Sequence, residues 1–542
     1  MFDLVLLNGQ VVDGTGAPWF RADVGIRGDR IAAVGALAKA EARQRLDVAG
    51  HVVAPGLVDT HVHGDLMLLA DPYHEAAIRQ GVTTYLLGQD GVAMAPASPA
   101  TLHYMRRYTA GFSGRPDLPD LGAYAWSSVA EYLARFDRRV AVNVAHLVPN
   151  GNVRMEVMGL ETRPPTADEL ARMRAVVRRG LEDGAVGLSS GLDYIPSRYA
   201  GTEELVELCR ELAPFGGVYV SHMRGYAPDN VLPALDEVVR IGREAGVAVH
   251  VSHFNSQAAL VLPHVDAARA DGIEVTYDLY PYLAGSTILG MVALPPWVQE
   301  GGLDATLGRL KDPVVRAKLR EGFAGPRGPI ETVRLSYVEA PEYRRYEGLT
   351  LQDAARAAAP ARGTGPSHEA VGSRAAAEAD GAAALTDFVC DVLLASDLAV
   401  GCIVPHRARG EGDVRALMRH PAMMGGSDGI FTGGHPHPRG YGCFARYLGH
   451  YVREARTWTL EEAVQRLAGH PARRLGLRDR GLVREGMAAD LVVFDPDRIA
   501  DRATYERGQE PAVGMEHVLV NGEPVLLHGE RTKALPGRAL RR

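Results

Sequence analysis

Four histidines and one aspartate, met in a fixed order, constrain this chain more than any other feature. His61 and His63 close the run Pro55-Gly56-Leu57-Val58-Asp59-Thr60. His222 follows Val218-Tyr219-Val220-Ser221, His253 follows Val249-His250-Val251-Ser252, and Asp428 follows Met423-Met424-Gly425-Gly426-Ser427. Each of the five ends an apolar stretch of strand length. Polar, ligand-type residues at the C-terminal ends of successive strands are the pattern of a TIM-type (β/α)8 barrel, whose sites gather on that face.

The intervening sequence has the matching rhythm. Between about residues 53 and 475, strand-like runs alternate with amphipathic windows such as 166–181 and 230–245. Strands are expected at 52–58, 83–87, 140–144, 185–188, 218–220, 247–251, 274–277 and 423–426. Strand–helix alternation produces a parallel sheet, and eight such strands suit a closed barrel.

Both chain ends read differently. Residues 1–57 and 479–542 contain short β runs separated by Asn-Gly, Asp-Gly and Gly-Asp turns, so the two ends are expected to pair into one small β-sandwich flanking the 58–478 barrel. Residues from about 284 to 400 are too long for a barrel loop and are expected to form an inserted small domain. Within it, 357–384 is rich in Ala, Gly and Ser, the composition of a lid or a disordered tip.

Composition narrows the function classes. A length of 542 residues exceeds one ordinary core, and 46% hydrophobic with 23% charged residues is globular. A net charge of −7 leaves no electrostatic footprint for nucleic acid. No apolar run reaches the ~20 residues that span a bilayer, and Met1-Phe2-Asp3-Leu4 lacks a signal-peptide pattern. A cytoplasmic protein is expected, with Cys209, Cys390, Cys402 and Cys443 as reduced thiols.

The ordered residues suit a metal. Alternate residues of a strand share a face, so His61 and His63 point together toward the barrel mouth. Imidazoles placed there suit zinc. Asp428 lies in Gly425-Gly426-Ser427-Asp428-Gly429, where a carboxylate can serve as general base and then acid; its bland alternative is a turn aspartate. The following Gly434-His435-Pro436-His437-Pro438-Arg439 run brings further polar groups toward the rim. His250 reads as a structural histidine.

These motifs resemble those of the amidohydrolase superfamily and, within it, the D-aminoacylase (N-acyl-D-amino-acid deacylase) family. Gly187-Leu188-Ser189-Ser190-Gly191-Leu192-Asp193-Tyr194, Asp278-Leu279-Tyr280-Pro281-Tyr282, Asp413-Val414-Arg415 and Ala489-Asp490-Leu491-Val492-Val493-Phe494-Asp495 carry the likeness over nearly the whole chain. The resemblance implies a tight zinc on His222 and His253, with His61 and His63 available to a second ion, and Asp428 as catalytic acid and base. It implies substrate contacts from Tyr194, from a tyrosine of the Tyr280-Pro281-Tyr282 motif (here Tyr282), and from Arg439. The implied chemistry is hydroxide attack on a zinc-polarised amide carbonyl.

Three positions depart from the family pattern. A cysteine ligand is common after the second strand, but this chain has Gly88-Gln89-Asp90-Gly91. Asp90 either bridges two metals as a harder oxygen donor or only shapes the turn, leaving one metal on His222 and His253. A lysine that meets the substrate carboxylate is often found where this chain has Asn255, so Arg224, Arg439 and Arg198 are candidate substitutes. Pro149-Asn150-Gly151 stands in place of a Gly-His-Gly-like turn. Hydantoinase-type relatives bridge their metals with a carboxylated lysine; no lysine occurs between Lys39 and Lys311, which opposes that architecture.

The sequence thus predicts a Zn²⁺-dependent amidohydrolase, with one or two ions, that cleaves the C–N bond of a small-molecule N-acyl substrate. An N-acyl-D-amino-acid deacylase is the first expectation. The alternatives are hydrolysis of a cyclic or neutral amide and a non-catalytic scaffold of the same fold. Neither a nucleic-acid nor a membrane partner is expected, and homo-oligomerisation is open.

Overall fold

A computed structural model describes residues 1–116, 126–321, 329–358 and 374–542. Eight parallel strands form its central sheet, in chain order from one edge to the other: β1 (Leu57–Asp59), β2 (Val82–Leu87), β3 (Asn143–Pro149), β4 (Gly187–Gly191), β5 (Val218–His222), β6 (Ala248–Val251), β7 (Val275–Leu279) and β8 (Met423–Gly425). Backbone bonds join the two edges. Thr60 N donates to Gly425 O at 3.2 Å, Asp428 N to His61 O at 2.7 Å and His63 N to Gly429 O at 3.0 Å. The barrel therefore closes through the segments that carry the first two histidines and the aspartate.

All eight expected strands are present, with two altered: of 52–58 only Leu57–Asp59 joins the barrel, Val52–Pro55 pairing instead with the C-terminal strand Leu491–Phe494, and the third is displaced. Residues 140–144 were the expected third strand, but β3 begins at Asn143 and runs to Pro149. Residues 140–142 instead pack where Ala141 N reaches Pro72 O and Gly537 N reaches Val140 O. The C-terminal tail takes up that end of the strand: Val144 N bonds Arg538 O, and Leu540 N bonds Val144 O. Local apolar runs did not reveal this long-range competitor.

The helices form for local reasons. Thr166 caps Ala167–Glu182 in a capping box with Glu169, which satisfies end N–H groups. Met173, Val177 and Leu181, spaced by four, form its buried stripe. Val231–Ala245 buries Val231, Leu235, Val238 and Gly242 and stops at Gly246, whose φ of 69° suits glycine.

Both chain ends join one nine-stranded sheet, in which Val52–Pro55 pairs antiparallel with Leu491–Phe494. Leu6, Val24, Ile26, Val53, Leu491 and Leu519 belong to its own core. Between β7 and β8, a three-stranded antiparallel sheet (Ala284–Ile288, Val400–Pro405, Arg334–Val338) packs with helices around a separate core that includes Leu289, Leu335, Val389 and Cys402. Of the 357–384 stretch, residues 359–373 lie outside the described residues, and from Arg374 the chain is helical to Ala395. Among the described residues no helix is long and apolar enough to cross a membrane.

Candidate metal centre and active site

The barrel brings His61, His63, His222, His253, Asp90 and Asp428 together at the C-terminal ends of its strands, and all six are buried. Asp90 is at their centre. Its Oδ1 lies 3.5 Å from His61 Nε2, and its Oδ2 lies 3.6 Å from His63 Nε2, 3.5 Å from His222 Nδ1 and 3.8 Å from His253 Nε2. His222 Nδ1 and His253 Nε2 are 2.9 Å apart. Asp428 Oδ1 is 3.2 Å from His63 Nε2 and 3.7 Å from His61 Nε2.

Tight turns aim these groups. Asp90, His253 and Asp428 have φ values of 56°, 34° and 50°, in the left-handed region that non-glycine residues seldom adopt. Such conformations cost on the order of 1–3 kcal/mol each and cluster where function requires them. Asp90 also has a left-handed glycine on either side of its turn, Gly88 at 81° and Gly91 at 65°.

The electrostatics favour a cation. Burial opposes charge on His61, but the carboxylates of Asp278, Asp90 and Asp428 prevail and push its pKa up to about 10. Burial likewise works against the Asp90 carboxylate, yet His61 and His222 hold its pKa well below the usual range. Both ring nitrogens of His61 and Oδ1 of Asp90 are buried without a hydrogen-bond partner. An unsatisfied buried polar atom costs roughly 1–3 kcal/mol, and a bound metal would relieve several at once. Ligand atoms of His61, His63 and Asp428 lie within 4.8 Å of one another, as do those of His61, Asp90 and His253. This nitrogen and carboxylate donor set fits zinc.

An outer layer orients the inner one. Asp278 Oδ2 lies 2.8 Å from His250 Nε2 and 3.4 Å from His61 Nδ1, while its Oδ1 accepts His253 N–H at 2.8 Å. His250 Nδ1 is 2.9 Å from Thr276 Oγ1. Asp59 Oδ1 accepts from Ser427 N at 2.8 Å and His61 N at 3.2 Å, tying β1 to the Asp428 turn. The sequence assigned no role to Asp278 or Asp59, whereas His250, read there as structural, has its ring held between Asp278 and Thr276. For Asp278 a signal was available: it is near the end of β7, as the inner residues are near the ends of theirs.

A cavity of about 490 Å³ opens over this cluster, lined by Asp90, His222, His253 and Asp428 among others. That volume suits a small ligand. His61 and His63 are not on its wall. Tyr194 lines it with its hydroxyl 3.0 Å from Thr287 Oγ1, and Asn255 lines it while donating Nδ2–H to Tyr280 Oη at 2.7 Å. Tyr280, not Tyr282, lies on the wall; Tyr282 sits under the Arg446 guanidinium, 5.1 Å from its ring centre. Arg439 is fully buried behind Asp428, with Nη1 2.9 Å from Asp428 Oδ2 and Nη2 donating to Ser286 O at 3.0 Å. His437 accepts Arg439 N–H at 3.0 Å. Arg224 reaches the wall, but its Nε and Nη2 donate to Glu237 at 2.8 and 3.1 Å and its Nη1 to Arg198 O at 3.1 Å.

Clustered imidazoles and carboxylates at the C-terminal mouth of a parallel barrel define the class of metal-dependent (β/α)8 enzymes. Comparison with known proteins narrows that class. The chain matches the amidohydrolase family over residues 44–311 and 345–526, and it belongs to that family. It is 35% identical to N-acyl-D-glutamate deacylase of Alcaligenes xylosoxydans xylosoxydans, covering 100% of this chain and 96% of that one. It is also 35% identical to D-aminoacylase of the same organism, over 100% and 98% of the two chains. The crystal structure of N-acyl-D-glutamate deacylase from Bordetella bronchiseptica, complexed with zinc and a phosphonate mimic of the tetrahedral intermediate, superposes with a TM-score of 0.80 at 35% identity, covering both chains fully.

Proposed function

We propose that the protein is a zinc-dependent N-acyl-D-amino-acid deacylase, releasing a carboxylate and a D-amino acid from a linear amide. One observation carries this reading: four histidines and Asp90 converge, with buried nitrogens and an oxygen lacking partners, beside an Asp428 that faces the same cavity. Full-length likeness to N-acyl-D-glutamate deacylase and D-aminoacylase supports the choice of substrate class.

His222, His253 and Asp90 would hold the ion nearest the cavity, and His61 and His63 would share Asp90 with a second. When bound, such an ion supplies Lewis acidity to an amide carbonyl and to a water. Asp428 moves the proton. Burial opposes its charge, but Arg439 and His61 hold its pKa down at about 2, so it is a carboxylate at neutral pH. Its Oδ1, beside His63, accepts the proton of the attacking water and returns it to the departing nitrogen. Tyr194 and the Asn255–Tyr280 pair orient the substrate across the cavity.

The reading is tested by assaying the zinc-loaded protein on N-acetyl- and N-succinyl-D- and L-amino acids beside neutral and cyclic amides. Release of D-amino acids in preference to the other products is expected. Turnover confined to cyclic or neutral amides would overturn the assignment.

A further inference from the structure

The substrate cavity contains a buried guanidinium with free donors. Arg409 follows the insert strand Val400–Pro405, is 5% exposed, and lies on the cavity wall together with Asp428 and His253. Its Nη2 donates to Tyr282 O at 2.6 Å. Its Nε and Nη1 have no hydrogen-bond partner, and no carboxylate among the described residues lies within 4.0 Å of it. A buried cation without a counter-ion carries a desolvation cost of several kcal/mol, which an anion with complementary geometry offsets.

Two other arginines, Arg224 and Arg439, are differently engaged. Arg224 has its donors on Glu237 and a backbone carbonyl, and Arg439 is paired with Asp428 away from the wall. Arg409 and Arg439 both lie over the Tyr280 ring, 5.7 and 4.4 Å from its centre, so this side of the cavity is doubly cationic. Ser286, also on the wall, has a buried hydroxyl without a partner. The neighbouring His406 is kept neutral by burial and by the charges of Arg409 and Arg439, and adds no proton of its own.

We propose that Arg409 is the specificity-determining cation of this enzyme, donating to a substrate carboxylate from one of its unpartnered N–H groups, Nε–H or Nη1–H. The assignment rests on the deacylase reading. A guanidinium keeps its charge when buried and holds its N–H donors in one rigid plane, so a donor left over beside the Tyr282 bond is already aimed, which a lysine on a flexible stem does not reproduce. The carboxylate is either the α-carboxylate of the amino acid or a second one on its side chain. In both cases the positive group comes from the segment after the insert strand Val400–Pro405 rather than from the loop after β6 that carries Asn255.

The test compares zinc-loaded wild type with Arg409→Gln and Arg409→Lys on N-acetyl-D-leucine, N-acetyl-D-glutamate and N-acetyl-D-leucinamide. The ratio of kcat/KM for acid over amide should fall roughly tenfold or more in Arg409→Gln, the size expected for a charged hydrogen bond. A fall for both acids assigns the α-carboxylate, and a fall for the glutamate compound alone assigns the second one. Arg409→Lys should show a smaller fall in the same ratio and decides the matter if the glutamine variant does not fold. An unchanged ratio, including an equal loss on all three compounds, would overturn the proposal. Calorimetric titration with sodium glutarate separates this inference from the parent reading if wild type cleaves none of the compounds. Weaker glutarate binding in the variants then still supports the anion site, and equal binding overturns it.

Discussion

Arg439 Nη1 stands 2.9 Å from Asp428 Oδ2, and both side chains are removed from solvent. The pair divides the carboxylate in two: Oδ2 faces the guanidinium, while Oδ1 faces His63 at 3.2 Å. One oxygen is thereby anchored and the other left facing the candidate metal ligands, where a proton carrier is required.

Replacement of Asp428 by Asn keeps the side-chain volume and removes the proton carrier. Turnover should fall by ~10²–10⁴-fold, the usual contribution of a general acid–base group. Metal content, measured by elemental analysis, should stay at the wild-type ratio. Full activity in this variant would exclude Asp428 from the chemistry.

Arg439→Gln should move the acid limb of the pH–rate profile. Arg439 is the leading influence holding the Asp428 pKa down to about 2 against burial. Without it that pKa rises, so the carboxylate form required of a base is lost at a higher pH. The profile of kcat/KM should therefore begin to decline at higher pH than in wild type. An acid limb that stays in place would show that another group controls it.

Asp90 distinguishes one metal from two. Its Oδ1 faces His61 and its Oδ2 faces the other three imidazoles, the placement of a bridging ligand. Asp90→Ala should lower the zinc-to-protein ratio by at least one ion where wild type binds two. A ratio equal to wild type would mean that Asp90 serves only its turn.

The strands and the four histidines were legible because each lies at the end of its own apolar run, and a period of two decides which face a strand residue takes. Asp90 was legible as a candidate ligand only through its position in a Gly-rich turn. The Asp278–His61 contact and the Arg409 guanidinium were not. Asp278 lies 217 positions from His61 in the chain, and only barrel closure brings them within 3.4 Å. Arg409 enters from the segment after the insert strand Val400–Pro405, and the docking of that segment over the mouth has no periodic signature. Tyr280 and Tyr282 show the same limit: one intervening proline turns the first to the cavity and the second toward Arg446.

Asp278 fixes the ring of a candidate ligand rather than contacting the cavity. Carboxylates placed behind metal-ligating histidines typically change metal affinity 10–100-fold when replaced, roughly independent of the substrate used. Asp278→Asn should weaken zinc retention by about that factor in competition with a chelator. Excess zinc should restore much of the activity, which a direct role in proton transfer would not allow. Lack of rescue at saturating zinc would argue for a part in the reaction itself.

His146 on β3 should make the fold itself sensitive to acid. It is fully buried, its Nε2 lies 2.8 Å from Ala95 O, and burial lowers its pKa to about 4. In the unfolded chain its pKa is ~6.5, so between roughly pH 6.5 and 4 the unfolded state binds more protons than the folded one. Stability contributed by this residue is therefore complete above the unfolded pKa and declines as pH falls through that window, by at most ~1.4 kcal/mol per pH unit. His146→Gln removes the titration while retaining an N–H for Ala95 O. The thermal midpoint of this variant, followed from pH 7.5 to 4.5, should fall less steeply than that of wild type, whatever its absolute value. Parallel slopes would place the acid sensitivity on other buried histidines, among them His74 and His470, whose pKa values burial also lowers to about 4.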